Sequence, residues 1–537
     1  MSAVAAGRLW GVGLGPGDPE LVTVKAARLV GAADVLAFHS GPRGRSIARR
    51  IAEPYVRPGQ IEEPLVYPVT TGSTEHPEGY EGAVRDFYDE VAQRLAVHLD
   101  AGRDVVVLCE GDPLFYGSYM YTHERLSDRY RTEVVPGVTS VSAAAAAIGR
   151  PLVERDEVLT ILPGTLPRRE LARRLADTDA AAVLKLGRTF GSVSGAVEDA
   201  GRGPAAWYVE RASTDEQRAV RLRDVDPQDV PYFSLALVPS PAGVRKLDGP
   251  RAPVRESVQQ PQHRVAPTGQ VVVVGLGPGD PQWLTPQVAD ELALADHLVG
   301  YRSYLDRVPV RPGQQRHASG NTVEADRADQ ALALAAGGAR VVVVSSGDPG
   351  VFAMAAAVVE QAADPRWAQV RVRVLPGVTA AQAVASRVGA PLGHDYAVLS
   401  LSDRLKPWDV VARRLDAIAA ADLAVALYNP ASRSRTWQVA AAREVLLRHR
   451  EPSTPVVVGR DVGGPAESVR VTTLGDLDPA SIDMRCLLLV GSSATTVRTA
   501  ADGSAVVLTP RRHDGDGLEG SPPSGSRTSA MGSSVAR

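Results

Sequence analysis

Cysteine is almost absent from this chain: Cys109 and Cys486 are the only two in 537 residues. They share no metal-ligand spacing, which argues against zinc and iron–sulfur sites, so no metal is expected. So few thiols fit a reducing cytosol. Long apolar runs are missing too. None approaches the roughly 18 residues that a membrane span needs, and the N-terminus lacks the apolar core of a signal peptide. The expectation is a cytoplasmic protein with no membrane partner. Neither sign of charge is in excess: 59 Lys and Arg against 62 Asp and Glu leave a net charge of −3. No basic face is advertised, so no nucleic-acid partner is expected. The 44% apolar and 23% charged residues are those of an ordinary globular protein.

What the chain does have, it has twice. Gly13-Leu14-Gly15-Pro16-Gly17-Asp18-Pro19 returns as Gly275-Leu276-Gly277-Pro278-Gly279-Asp280-Pro281. Gly111-Asp112-Pro113 returns as Gly347-Asp348-Pro349, and Pro136-Gly137-Val138-Thr139 as Pro376-Gly377-Val378-Thr379. Three rare loop signatures in the same order imply two homologous modules fused head to tail. We place the first at 8–240 and the second at 269–495. A Pro-, Gln-, Arg- and Ser-rich linker at 241–268 joins them. The tail at 511–537, almost without apolar residues, is expected to be disordered.

Each module alternates strand and helix. In the first, short apolar runs at 8–12, 35–38, 104–108 and 133–135 predict strands, and 80–99 and 140–147 predict helices. The Pro- and Gly-rich stretch 64–80 reads as a long loop. Strands predicted at 158–162, 181–186, 207–211 and 232–238 make a second subdomain. The second module repeats the plan, with strands at 271–274, 341–344, 396–401, 423–427, 455–458 and 486–490. This is an α/β class.

The first loop is not a dinucleotide fingerprint, because Pro16 and Pro278 stand where the third glycine belongs; nor is it a phosphate-binding loop, because no Lys-Ser or Lys-Thr follows. It remains a tight turn at the carboxyl end of a strand, where open α/β sheets bind ligands. A plain helix start is the competing reading, with Asp18 or Asp280 as cap. Asp112 and Asp348 close apolar strands, a poor choice for packing and a good one for fixing a polar group. Thr139 and Thr379 either meet a ligand or only cap the helix that follows.

Together these motifs resemble the tetrapyrrole methyltransferase family, over both modules. The resemblance implies tandem modules, each of two α/β subdomains with S-adenosyl-L-methionine bound in the cleft between them. In the first module, residues 112–121, Ser46-Ile47-Ala48 and 152–157 resemble the branch that methylates carbon 20 of precorrin-2. In the second, residues 299–305, 402–408 and 427–435 resemble the branch that methylates carbon 17 of precorrin-3B and contracts the ring. Carried over by motif, the first cofactor site comprises Pro16, Glu110, Gly111, Asp112, Thr139 and Ser140, with Phe115, Leu186 and Val209 added. The second comprises Pro278, Ser346, Gly347, Asp348, Thr379 and Ala380, with Phe352, Tyr428 and Gly459 added. Glu110 against Ser346, and Ser140 against Ala380, favour recognition by backbone.

A polycarboxylate macrocycle calls for arginine. Arg43 and Arg45, beside Arg49 and Arg50, are candidates in the first module, and Arg302, Arg433 and Arg435 in the second. A solvated surface arginine is the competing reading for each. His39 and His317 are candidate proton acceptors against a structural role. Methyl transfer from a sulfonium is mostly positioning, so the lack of a nucleophile–base constellation fits. Two alternatives stay open: another activity of the same family, on uroporphyrinogen or on RNA 2′-hydroxyls, and a chain with one non-catalytic module used for binding or scaffolding. The modules pair either within the chain, as a pseudo-dimer, or each with its counterpart in a homodimer.

Overall fold

The computed structural model describes residues 5–41, 44, 46–68, 74, 76–154, 157–240, 269–320, 323–404, 406–432 and 434–510. The linker, the tail, Arg43, Arg45 and Arg433 lie outside the described residues.

Each module opens with a five-stranded parallel sheet. In the first the order is Ile61–Val66, Val35–Ser40, Val105–Cys109, Leu9–Gly13, Thr132–Val135. In the second it is Gln315–Ser319, His297–Tyr301, Arg340–Ser345, Gln270–Gly275, Arg371–Leu375. Apolar residues cover both faces, which is why the central strands read as unbroken valine runs such as Val341 to Val344. The stretch expected to be a loop from residue 64 instead begins inside the strand Ile61–Val66. This is an edge strand, where Pro64 costs no ladder bond and Glu62 and Glu63 need no burial.

Leu9–Gly13 and Val105–Cys109 are neighbours whose onward connections leave in opposite directions across the sheet. Their carboxyl ends therefore flank a crevice at the topological switch point. The two glycine loops meet there: Gly111 N–H donates to the Gly15 carbonyl at 2.8 Å, and Gly15 N–H donates back at 3.3 Å. Gly347 and Gly277 exchange the same pair of bonds at 3.0 and 3.2 Å.

The second subdomains are not two sheets but one. Ten strands run in the order Ser468–Thr473, Pro455–Arg460, Cys486–Val490, Ala424–Tyr428, Tyr396–Ser400, Val158–Pro163, Ala180–Leu184, Ser234–Val238, Trp207–Glu210, Arg218–Arg221. The seam is antiparallel, with Tyr396 opposite Ile161 and Leu399 opposite Val158. Two reciprocal ion pairs cross it, Arg174 to Asp395 and Arg414 to Asp179. Val141 and Ala144 of the first module and Ala381 and Val384 of the second share one core beneath the seam. Within the chain the two modules thus pair along this seam. Structure also continues past residue 495, where the second module was expected to end: Thr496–Thr499 and Ala505–Leu508 form a hairpin. Among the described residues no helix is long and apolar enough to cross a membrane, and no cluster of three metal-ligating side chains occurs.

Candidate functional site

The three repeated loops converge in each module, and the aspartates hold them together. Asp112 accepts from the Leu114 N–H at 2.9 Å and, across loops, from the Gly137 N–H at 3.2 Å. Asp348 accepts from Gly350 at 2.8 Å and Gly377 at 3.1 Å. Both carboxyls are buried, and burial pushes Asp112 up to about 7 and Asp348 up to about 6. Ser142, from the first module, also hydrogen-bonds Asp348. Gly137 is obligatory, since a Cβ there would overlap the Gly111 carbonyl oxygen. Thr139 and Thr379 cap the helices Ser140–Ala147 and Ala380–Ala385, each accepting a backbone N–H at 3.2 Å. Asp18 and Asp280 cap the short turns after the first loops.

In the first module the loops open on a cavity of about 1330 Å³. Of the expected residues Pro16, Glu110, Gly111, Asp112, Phe115, Ser140 and Val209 line it. Leu186 does not: its side chain is fully buried in the core behind the sheet, with Leu162 and Phe190. The strand meets the cavity at Leu184 and Lys185 instead. Glu110 receives a backbone hydrogen bond from Ala48, and burial raises its carboxyl to about 7. His39 lines the cavity in a cage of aromatic rings, stacked on Tyr67 at 5.2 Å. Burial lowers it to about 4, so the imidazole is neutral near pH 7, and its Nε2 has no hydrogen-bond partner among the described residues.

In the second module Tyr428 touches two of the other expected residues, Thr379 and Phe352. Its hydroxyl accepts from the Ala381 N–H at 3.1 Å and bonds Thr379, and its ring lies 5.3 Å from that of Phe352. Ala380 packs on the same core, and Gly459 leaves room for the Val384 side chain. Ser346 takes a hydrogen bond from Arg307 at 3.1 Å, and the same guanidinium donates to the Gly277 carbonyl at 2.8 Å beside Pro278. Arg307 was not legible as a site residue. Arg435 donates to the Leu401 and Asn429 carbonyls and so braces the Asn429 loop, while Arg302 is exposed. His317 sits 3.0 Å from His297 on an outer strand.

The largest signal missed in sequence is backbone strain. Tyr116, Lys185 and Arg211 have φ of 54°, 61° and 47° and all line the cavity. Phe352, Asn429 and Asp461 have φ of 49°, 49° and 51° at the equivalent places. Left-handed non-glycine residues cost about 1–3 kcal/mol each and gather at functional sites. The repeat register could have pointed to one pair of positions: the Gly111–Gly347 match aligns Tyr116, not Phe115, with Phe352.

The family profile for Tetrapyrrole (Corrin/Porphyrin) Methylases matches residues 8–226 and again 270–478. The cobalamin biosynthesis protein CobIJ of Mycobacterium bovis is 62% identical over 513 residues, 95% of this chain and 96% of the relative. Two Sinorhizobium sp. proteins match about half of the chain each. A precorrin-2 C(20)-methyltransferase is 47% identical over 44% of this chain and 98% of its own length. A precorrin-3B C(17)-methyltransferase is 47% identical over 46% of this chain and 98% of its own. With both modules matched and the three-loop crevice present in each, the chain belongs to the tetrapyrrole (corrin/porphyrin) methylase family.

Proposed function

We propose that the chain is a bifunctional S-adenosyl-L-methionine-dependent C-methyltransferase of corrin-ring assembly. The first module methylates precorrin-2 at carbon 20, and the second methylates precorrin-3B at carbon 17 with ring contraction. The observation that carries this reading is the same three-loop crevice built twice, each time ringed by strained backbone. The first opens on a cavity of about 1330 Å³, above the roughly 300–1,000 Å³ of a single small-molecule site. That volume suits a cofactor and a macrocycle together.

The residues fit the cofactor. Gly111 and Ser140 border the cavity, and the buried Asp112 holds their loops against one another. When bound, S-adenosyl-L-methionine supplies an electrophilic methyl group. The chain's part is positioning: an in-line approach held by rigid loops is worth about 7–11 kcal/mol. Lys185 and Arg211 border the cavity and are suited to the macrocycle's carboxylates. His39 lines the cavity as the candidate to accept the proton that carbon 20 sheds once its new bond to the methyl carbon has formed, and burial makes its imidazole a weak base until a bound carboxylate offsets that cost.

Calorimetric titration of S-adenosylhomocysteine into the wild type, Asp112→Ala and Asp348→Ala tests the reading. Two sites, each weakened by one substitution, are expected. With methyl-labelled cofactor, precorrin-2 is then expected to take label at carbon 20, and precorrin-3B, supplied separately, at carbon 17. A single site, or no label in the macrocycle, would sink it.

A further inference from the structure

The hairpin Thr496–Leu508 follows the second module in the chain and hydrogen-bonds to it, yet it also contacts the first. On its own side Val507 N–H donates to the Val388 carbonyl at 2.6 Å and Thr509 N–H to that of Ala390 at 3.0 Å. The Thr509 hydroxyl donates to the Pro391 carbonyl at 2.7 Å and lies 2.8 Å from that of Thr495, which closes the base of the hairpin. On the other side the Ala501 N–H donates to the Ser127 carbonyl at 3.2 Å, at the end of the first module's helix Tyr119–Leu126. Arg498 approaches Asp128 at 3.9 Å. Ala390 and Leu508 pack into the first module's core with Tyr119 and Met120. Beyond them, Leu508 and Pro510 line the first module's cavity.

That helix follows the strained Tyr116 turn and itself supplies cavity wall through Tyr119, Met120 and Tyr121. The hairpin therefore both backs the helix and continues its wall with two apolar side chains. One of them is a proline, whose fixed φ keeps the wall rigid. We propose that this hairpin of the second module is a specificity element of the first, and that Leu508 and Pro510 bound the space into which the tetrapyrrole fits. This rests on reading the cavity as the precorrin-2 site.

The test uses the full chain with Leu508→Ala, Pro510→Ala and, as a control on the hairpin's exposed face, Val497→Ala. For each, KM and kcat are measured for both methylations, and S-adenosylhomocysteine binding is measured at both sites. The expected result is a rise of about tenfold in KM for precorrin-2 in the first two variants, the scale on which an apolar pocket senses one methylene. Cofactor binding and carbon-17 methylation stay unchanged, and Val497→Ala behaves as wild type. An unchanged KM for precorrin-2 in both variants overturns the proposal. So does an equal loss of carbon-17 activity, which would make the hairpin a brace of its own module. If Leu508→Ala weakens the fold, seen as lost cofactor binding at the first site, Pro510→Ala decides alone, because it stands outside that core. A wild type that binds two cofactor analogues but methylates another tetrapyrrole overturns the substrate assignment instead. The same KM comparison on that compound still judges the wall.

Discussion

After the strand Ala180–Leu184 the first module places Lys185, and after Ala424–Tyr428 the second places Asn429. Both take a left-handed backbone. The same holds for Arg211 and Asp461, and for Tyr116 and Phe352. At the second loop Glu110 faces Ser346, and Ser346 brings in Arg307. Between the modules the backbone is held fixed, strain included, while the side chains change charge and size. A backbone kept twice serves a need common to both modules, and side chains that differ serve needs that do not. This is the division expected if loops hold one shared cofactor while side chains meet two different macrocycles.

The sharpest way to break this comparison is to disturb the shared backbone. Gly137→Ala and Gly377→Ala each drive a methyl group toward the neighbouring glycine carbonyl. Each is expected to weaken S-adenosylhomocysteine binding at its own site and to slow methylation there on the order of 100-fold, the cost of displacing a positioning loop by an ångström. The other site should be untouched in a two-site titration. If both sites weaken together, the crevices are coupled through the joined sheet and are not independent copies.

A smaller effect is expected from exchanging side chains. Lys185→Asn gives the first module the second's residue, and loss of a solvent-screened charged hydrogen bond, about 1.5 kcal/mol at the low end for such bonds, should raise KM for its substrate by about tenfold. Asn429→Lys should not raise KM in the second module. An equal response to both exchanges would remove the distinction.

The smallest effect is a slope. Glu110 is raised by burial from 4.5 to about 7. Between those values the native chain holds more proton than the unfolded one, so Glu110 makes stability fall as pH rises through the window. Glu110→Gln, neutral throughout, should flatten the dependence of melting temperature on pH from about 4.5 to 7. Asp112 and Asp348 keep their own share of the same sign. Ser346→Ala should leave the slope alone.

How much of this could be read from the chain depended on local signal. The loops were legible because Gly-Pro-Gly-Asp-Pro is rare and came twice. The central strands were legible because burial on both faces writes a continuous apolar run. Ile61–Val66, Arg218–Arg221 and Thr496–Thr499 were not, being polar and at sheet edges; Ala505–Leu508 is apolar and central in its small sheet, and was passed over as a run of only four residues. Lys185 and Arg211 carry no sign of their φ, since tertiary structure imposes it. Leu186 was carried over by motif; the strand expected to run through it ends at Leu184, and its side chain turns into the core while Leu184 and Lys185 before it line the cavity. The apolar runs around Leu159 and Val398 announced strands, but nothing in an apolar run names its partner.

The seam between Val158–Pro163 and Tyr396–Ser400 determines what a broken chain would become. A peptide bond cut anywhere between residues 241 and 268 leaves the halves laced by backbone hydrogen bonds, two ion pairs and a common core. Halves made apart would each present a bare apolar strand, a template for pairing with the wrong partner. A lineage that exchanged one module for a relative would have to match the register of Tyr396 against Ile161 before its catalysis mattered. Compatibility at that edge, rather than the length of the tether, decides which two enzymes can be inherited as one.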